Sequence, residues 1–194
     1  MMKLKYLVIA LFLIFIAACK PTTDQAGFSA TDISGADFAK TFNLTDHTGK
    51  ARTLEDFKGK VVALFFGYTH CPDVCPTTMT DLKQSMKLLG DDADEVQVLF
   101  ITLDPERDTQ DLLAQYVPGF DARFIGLYGT PEQTTAVSKE FKIFAAKVEN
   151  SGKSGYTIDH SAGLYLYDKA GNIRLYVDYG TKPEVLAADI KKLL

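Results

Sequence analysis

The sequence has no tryptophan, only three cysteines and only three histidines. Without a tryptophan it does not fit a glutathione-peroxidase-like enzyme, whose chemistry relies on one. It also lacks any block of lysines and arginines and any ladder of aromatic and basic residues. With a formal net charge of −4, the chain offers no electrostatic footprint for nucleic acid. No apolar run reaches the ~20 residues that a membrane-spanning helix needs. Internal repeats and a second compositional boundary are absent as well, so the chain reads as one domain behind a leader.

The leader is well marked. Met1-Met2-Lys3-Leu4-Lys5 is basic, Tyr6 to Ala18 carries no charge, and Ile16-Ala17-Ala18-Cys19 places small residues before a cysteine. That is the layout of a secretory signal, and its end resembles a bacterial lipobox. The expectation is a lipoprotein signal peptide over residues 1–18, with Cys19 as the lipid-bearing first residue of the exported protein. Losing Lys3 and Lys5 with the leader makes the remaining chain more acidic. Residues 19–37 are rich in Thr, Ser, Ala, Gly and Asp and show no apolar period, so they read as a membrane tether. Residues 38–194 then form the domain.

Within the domain, strand and helix patterns alternate. Phe42-Asn43-Leu44 and Ala51-Arg52-Thr53-Leu54 flank a turn-rich segment and predict an N-terminal β-hairpin. Val61 to Phe66 and Val96 to Leu103 are continuous apolar runs, as expected of strands buried on both faces. Between them Met79, Leu82, Met86 and Leu89 recur at steps of three, four and three, and Gly90 supplies a stop, which predicts a helix. Leu112 to Val117 suggests a short helix and Phe124 to Tyr128 a third strand. Thr130-Pro131 opens a helix expected to run to about Ala145. Leu164 to Tyr167 and Ile173 to Val177 flank Lys169-Ala170-Gly171-Asn172, a hairpin turn, and a last helix follows Pro183. The fold class is α/β, a mixed central sheet flanked by helices.

The chemistry concentrates in Gly67-Tyr68-Thr69-His70-Cys71-Pro72-Asp73-Val74-Cys75-Pro76. A buried strand runs into a loop with two thiols, the second where a helix begins. Free N–H groups and the helix dipole at that point favour a thiolate, which is both nucleophile and soft-metal ligand. Three residues separate the sulfurs, a spacing that admits a disulfide and equally two thiolates around one metal ion. Redox and metal readings both stay open on this motif. Tyr68 stands three residues before Cys71, where peroxiredoxins carry threonine or serine, which speaks against a peroxidase.

Three separated motifs, Cys71-Pro72-Asp73-Val74-Cys75-Pro76, Thr102-Leu103-Asp104-Pro105-Glu106-Arg107-Asp108-Thr109 and Asp159-His160-Ser161, occur in an order that closely resembles the Sco/SenC family. The resemblance covers nearly all of the chain after the tether. It departs at Gln110, where many members carry proline. It implies a thioredoxin-like copper protein, membrane-tethered on the extracytoplasmic or periplasmic side, that assembles the copper centre of cytochrome c oxidase. It also implies Cys71, Cys75 and His160 as copper ligands, with cytochrome c oxidase subunit II as recipient and another periplasmic protein as copper donor. Two soft sulfurs suit Cu(I) and an imidazole also suits Cu(II), so such a set serves both states. The implied role is that of a metallochaperone without assigned catalytic residues. The alternative is a thiol-disulfide oxidoreductase that uses Cys71 and Cys75 as a redox disulfide on partner cysteines.

Other candidates read as structural. Met79 and Met86 lie on the apolar stripe of a helix, and His47 sits in a turn. His70 adjoins Cys71 but should point elsewhere. Asp73 is expected to cap the following helix. Asp159 reads equally as a group that orients His160 or as an ordinary loop residue. The run Asp104 to Asp108 reads as an internal Asp–Arg network or as the rim of a functional surface.

Overall fold

A computed structural model describes residues 27–149 and 155–194; the signal segment, Cys19 and the first part of the tether lie outside them. In chain order the elements are β1 (Thr31–Asp32), β2 (Asn43–Asp46), β3 (Ala51–Thr53), β4 (Val61–Gly67), α1 (Val74–Leu89), β5 (Val96–Thr102) and α2 (Gln110–Tyr116). They continue with β6 (Ile125–Tyr128), α3 (Pro131–Glu140), β7 (Ala145–Glu149), β8 (Tyr156–His160), β9 (Leu164–Tyr167), β10 (Ile173–Val177) and α4 (Pro183–Lys191). Eight strands form one mixed sheet in the order β1-β10-β9-β4-β5-β6-β2-β3, and β7 and β8 form a separate hairpin.

The centre of the sheet follows from the two apolar runs. β4 and β5 pair in parallel from Val61↔Val96 to Gly67↔Thr102, and every residue of both is buried. Strand alternation sends Val61, Ala63 and Phe65 to one face and Val62, Leu64 and Phe66 to the other, so both faces need cover. Met79, Leu82 and Met86 of α1, Leu113 of α2 and Leu186 and Ile190 of α4 cover the first. Val137 of α3 and the N-terminal residues Ala39, Phe42, Leu54 and Phe57 cover the second. Each fully buried large side chain contributes about 1.5–3 kcal/mol of apolar transfer. Met79 and Met86 are wholly inside this layer.

The caps work as the residue types dictate. Thr130 and Gln133 form a reciprocal capping box with Pro131 in the first turn of α3, satisfying two otherwise free N–H groups. Gly90 closes α1 at φ 60°, a backbone angle open to glycine. Thr109 caps α2 through the Leu112 N–H, so Gln110 takes the first helical position, where a proline would also fit.

Three expectations are corrected. The helix from Pro131 ends at Glu140, not near Ala145, and Ala145–Glu149 is a strand. Asp159, read in one alternative as a loop residue, lies within a strand, β8, that ends at His160. Residues 28–37, read as the end of the tether, lie against the domain. β1 pairs with β10, and the buried Asp189 carboxylate accepts the Ser29 and Ala30 N–H groups at 2.8–3.0 Å. Backbone pairing shares that attachment with Phe28, Ala30, Ile33 and Ala36, packed on the core at irregular spacing, so no apolar period announces it.

Candidate metal centre

The two cysteines and the histidine arrive from different parts of the fold. The loop after β4 carries Cys71, the first turn of α1 carries Cys75, and β8 carries His160. Gly67 at the end of β4 makes room for them. A Cβ there would stand 2.9 Å from Cys75 Sγ and 2.9 Å from the Phe100 ring, closer than real contacts allow. The absence of a side chain at residue 67 lets the Cys75 sulfur lie against the strand.

Cys75 Sγ is 3.5 Å from His160 Nε2, and the Cys75 N–H points to Cys71 Sγ at 3.5 Å. His160 Nδ1 lies 2.8 Å from the Ser161 carbonyl oxygen. A carbonyl can only accept, so Nδ1 carries the proton and Nε2 presents its lone pair toward the sulfur. The backbone thereby supplies the orienting partner that a metal-binding imidazole usually has. Asp159 does not provide it: its side chain is exposed, as strand alternation requires beside an inward His160. The Phe65 ring packs against the imidazole at 6.4 Å and the Tyr68 ring at 5.9 Å, both edge-on.

Burial sets the electrostatics. Cys75 is fully buried, and desolvation pushes its thiol well up from the ordinary range. This outweighs the helix-start effect expected from sequence, because an anion in an apolar pocket loses its hydration. Desolvation also lowers the His160 pKa, which keeps the imidazole neutral and its lone pair free. A soft cation entering here replaces the Cys75 proton, so uptake releases protons. Cys71 is partly exposed and Cys75 is not, so an incoming group meets the Cys71 sulfur first.

Among the described residues no three metal-ligating side chains stand as a closed cluster. The close pair is Cys75 and His160; the Cys71 sulfur faces the Cys75 backbone N–H. Cys71 and His160 open on a cleft of about 360 Å³, which Tyr68, Pro72, Asp159 and Ala162 also line, while Cys75 is buried. A larger cleft of about 470 Å³ lies on the far side of Ile158, lined by Thr134, Ser138, Lys139 and Lys147 among others, with no cysteine or histidine. Volume therefore does not mark the site; donor chemistry does.

The neighbouring residues separate cleanly. Asp73 occupies the N-cap position of α1, but its side chain makes no capping bond; its carbonyl accepts the Thr77 N–H instead. The His70 ring turns away to Thr69 Oγ1, at 3.0 Å, and to Asp108 Oδ1, at 3.7 Å. His47 Nδ1 accepts the Gly126 N–H at 3.0 Å and ties the β2–β3 turn to β6. The run Asp104–Asp108 is an internal network. The buried Asp108 accepts Thr69 N–H, Thr69 Oγ1 and Thr102 Oγ1 at 2.5–3.0 Å, which fixes the loop before Cys71. Tyr68 escaped the sequence reading as a site residue. Its hydroxyl accepts the Ile158 N–H at 3.1 Å, linking the cysteine loop to β8, and its position between the apolar run and the first cysteine was the only hint.

The chain is similar in sequence and fold to known proteins. The SCO1/SenC family profile matches residues 30–194. The mitochondrial SCO2 homolog of Danio rerio is 41% identical over 140 residues, covering 71% of this chain and 49% of its own length. The chain spans about half the length of the first curated relatives it matches. Among solved structures, Bradyrhizobium japonicum ScoI with copper bound is 42% identical with a TM-score of 0.73, covering 79% of this chain and 98% of that one. Apo Sco1 of Thermus thermophilus is 34% identical with a TM-score of 0.75, covering 86% and 97%. The thioredoxin-like fold expected from the resemblance is the fold of this chain.

Proposed function

We propose that this chain, which belongs to the SCO1/SenC family, carries copper on Cys71, Cys75 and His160 and delivers it to subunit II of cytochrome c oxidase. The observation that carries the reading is the His160 imidazole, its Nδ1 tied to the Ser161 carbonyl and its Nε2 3.5 Å from Cys75 Sγ. A dithiol exchange between Cys71 and Cys75 has no need of that imidazole. A cation that prefers two sulfurs and tolerates one nitrogen does. With copper as cargo, three donors leave a coordination position through which the recipient's ligand enters. The ion then passes by ligand exchange, without free release. The partly exposed Cys71 is the donor best placed to hand over first.

The test separates this role from reduction of partner cysteines, which the same two thiols could perform. A strain lacking the protein is expected to lose cytochrome oxidase activity at low copper and to regain at least part of it when copper is added. Abundant ion replaces a carrier by mass action; it does not replace a reductant. Rescue by an exogenous thiol, with no response to copper, would overturn the carrier reading in favour of the redox one.

The proposal includes export and a lipid at Cys19, supported by the leader's layout; among the described residues no helix is long and apolar enough to cross a membrane. Labelled palmitate should appear on the wild-type chain and vanish in Cys19→Ala. Unlabelled protein that retains residues 1–18 would contradict the anchor.

A further inference from the structure

His160 stands on a hairpin that is not part of the main sheet, so something other than a strand ladder must hold it against Cys75. The inner edge of β8 pairs with β7. Its outer edge meets side chains of the core. Ile158 donates its N–H to Tyr68 Oη, and the Tyr156 carbonyl accepts from Arg107 Nη1 at 3.0 Å. The Arg107 guanidinium carbon lies over the Tyr156 ring, 3.6 Å from its centroid, and 5.9 Å from the Tyr68 ring centroid. Its Nε donates to Asp104 Oδ2 at 2.5 Å, and the other Asp104 oxygen accepts Tyr156 Oη–H at 2.7 Å. The Asp104 carboxylate is fully buried. A second tie, Lys147 to Glu106, is exposed at both ends and therefore weak.

We propose that Arg107 is a positioning residue for His160: with Asp104 it latches the β7–β8 hairpin to the core and so sets the distance from the imidazole to the Cys75 sulfur. Arginine suits the task because its planar fork can bond a carboxylate and a carbonyl while it stacks on an aromatic face. Lysine could keep the charge but not the stack and the fork together. The same loop grips the other half of the site through Asp108 and Thr69, so one segment aligns the cysteine loop and the histidine strand. Because side chains alone make the latch, the hairpin can part from the core while the two thiols stay in place. The proposal rests on the ligand reading above only for its consequence in metal binding; the latch itself is a property of the metal-free chain.

The test begins without metal. In the full chain, amide hydrogen exchange at Ile158 reads the latch, and exchange at Leu64 and Phe100 in β4 and β5 reads the fold. Arg107→Gln is expected to speed exchange at Ile158 by about ten- to a hundred-fold, the scale of a lost charge-assisted hydrogen bond, with Leu64 and Phe100 unchanged. Arg107→Lys should restore part of the protection. Unchanged exchange at Ile158, or a rise shared equally by Leu64 and Phe100, would overturn the latch. Should Arg107→Gln fail to fold, Tyr156→Phe decides by the same criterion, since it removes the hydroxyl's bond to Asp104 and its longer one to Glu106 and keeps the ring under Arg107. In the folded variant, loading with Cu(I) should still give one ion per chain, while nitrogen coupling in the Cu(II) electron paramagnetic spectrum should weaken. If His160→Ala binds Cu(II) as the wild type does, the ligand reading fails while the exchange result still decides the latch. If exchange at Ile158 does not move, the latch fails whatever His160 binds.

Discussion

Cys71→Ser and Cys75→Ser are each expected to lower Cu(I) affinity at least ~10²-fold, and the double variant to leave no tight binding. The scale follows from metal-binding free energies of about 10–16 kcal/mol shared over a small donor set, so one strong donor is worth about 3 kcal/mol or more. Serine keeps the shape of the residue and replaces a soft sulfur with a hard, protonated oxygen, which Cu(I) binds poorly. The two variants should differ in their side effects. Cys75 is buried against Gly67 and Phe100, so Cys75→Ser also puts a hydroxyl into an apolar pocket and should lose some stability. Cys71, partly exposed, should lose none. Titration with a competing Cu(I) chelator measures the affinities, and thermal unfolding in the absence of metal separates the stability term.

His160→Ala is expected to divide what the cysteine variants cannot. Cu(II) affinity should fall by more than ~10²-fold, because the borderline ion depends on the imidazole, and Cu(I) affinity by about ten-fold. The Cys71–Cys75 pair should still cycle between dithiol and disulfide, since its geometry is set by the loop after β4 and the first turn of α1. In cells the variant should assemble as little oxidase as a strain with no protein at all. Full oxidase assembly by His160→Ala, with a reducible cysteine pair, would assign the function to thiol chemistry. Circular dichroism of the metal-free variant controls for the space left between the Phe65 and Tyr68 rings.

The half of the site made by Cys71 and Cys75 was legible in the sequence because local rules govern it. A continuous apolar run makes a central parallel strand, a four-residue step places the second thiol in the first turn of a helix, and Met79, Leu82, Met86 and Leu89 set the face that helix buries. The half made by His160 was legible only through the resemblance. Ala145–Glu149 is exposed along nearly its whole length, so it shows no alternation of apolar and polar residues, and the preceding helix pattern ran into it. That hairpin has little core of its own. Arg107 and Tyr68, distant in the chain, hold its outer edge, and no window of sequence contains such a partnership. β1 was missed for a related reason: both its residues are exposed and pair through backbone with β10, the Asp189 carboxylate holds the backbone before it, and the flanking Phe28, Ala30 and Ile33 pack on the core without a regular period. The thiol chemistry was half legible. Position at a helix start argued for an easy thiolate, and only the structure shows Cys75 deep enough for desolvation to win.

X-ray absorption at the copper edge on the copper-loaded full chain tests the central claim most directly. The account predicts one copper per chain with two sulfur donors and one imidazole nitrogen, the nitrogen lost in His160→Ala and both sulfurs lost with the metal when Cys71 and Cys75 are replaced together. A first coordination sphere of nitrogen and oxygen alone, or an unchanged spectrum in the double cysteine variant, would contradict it.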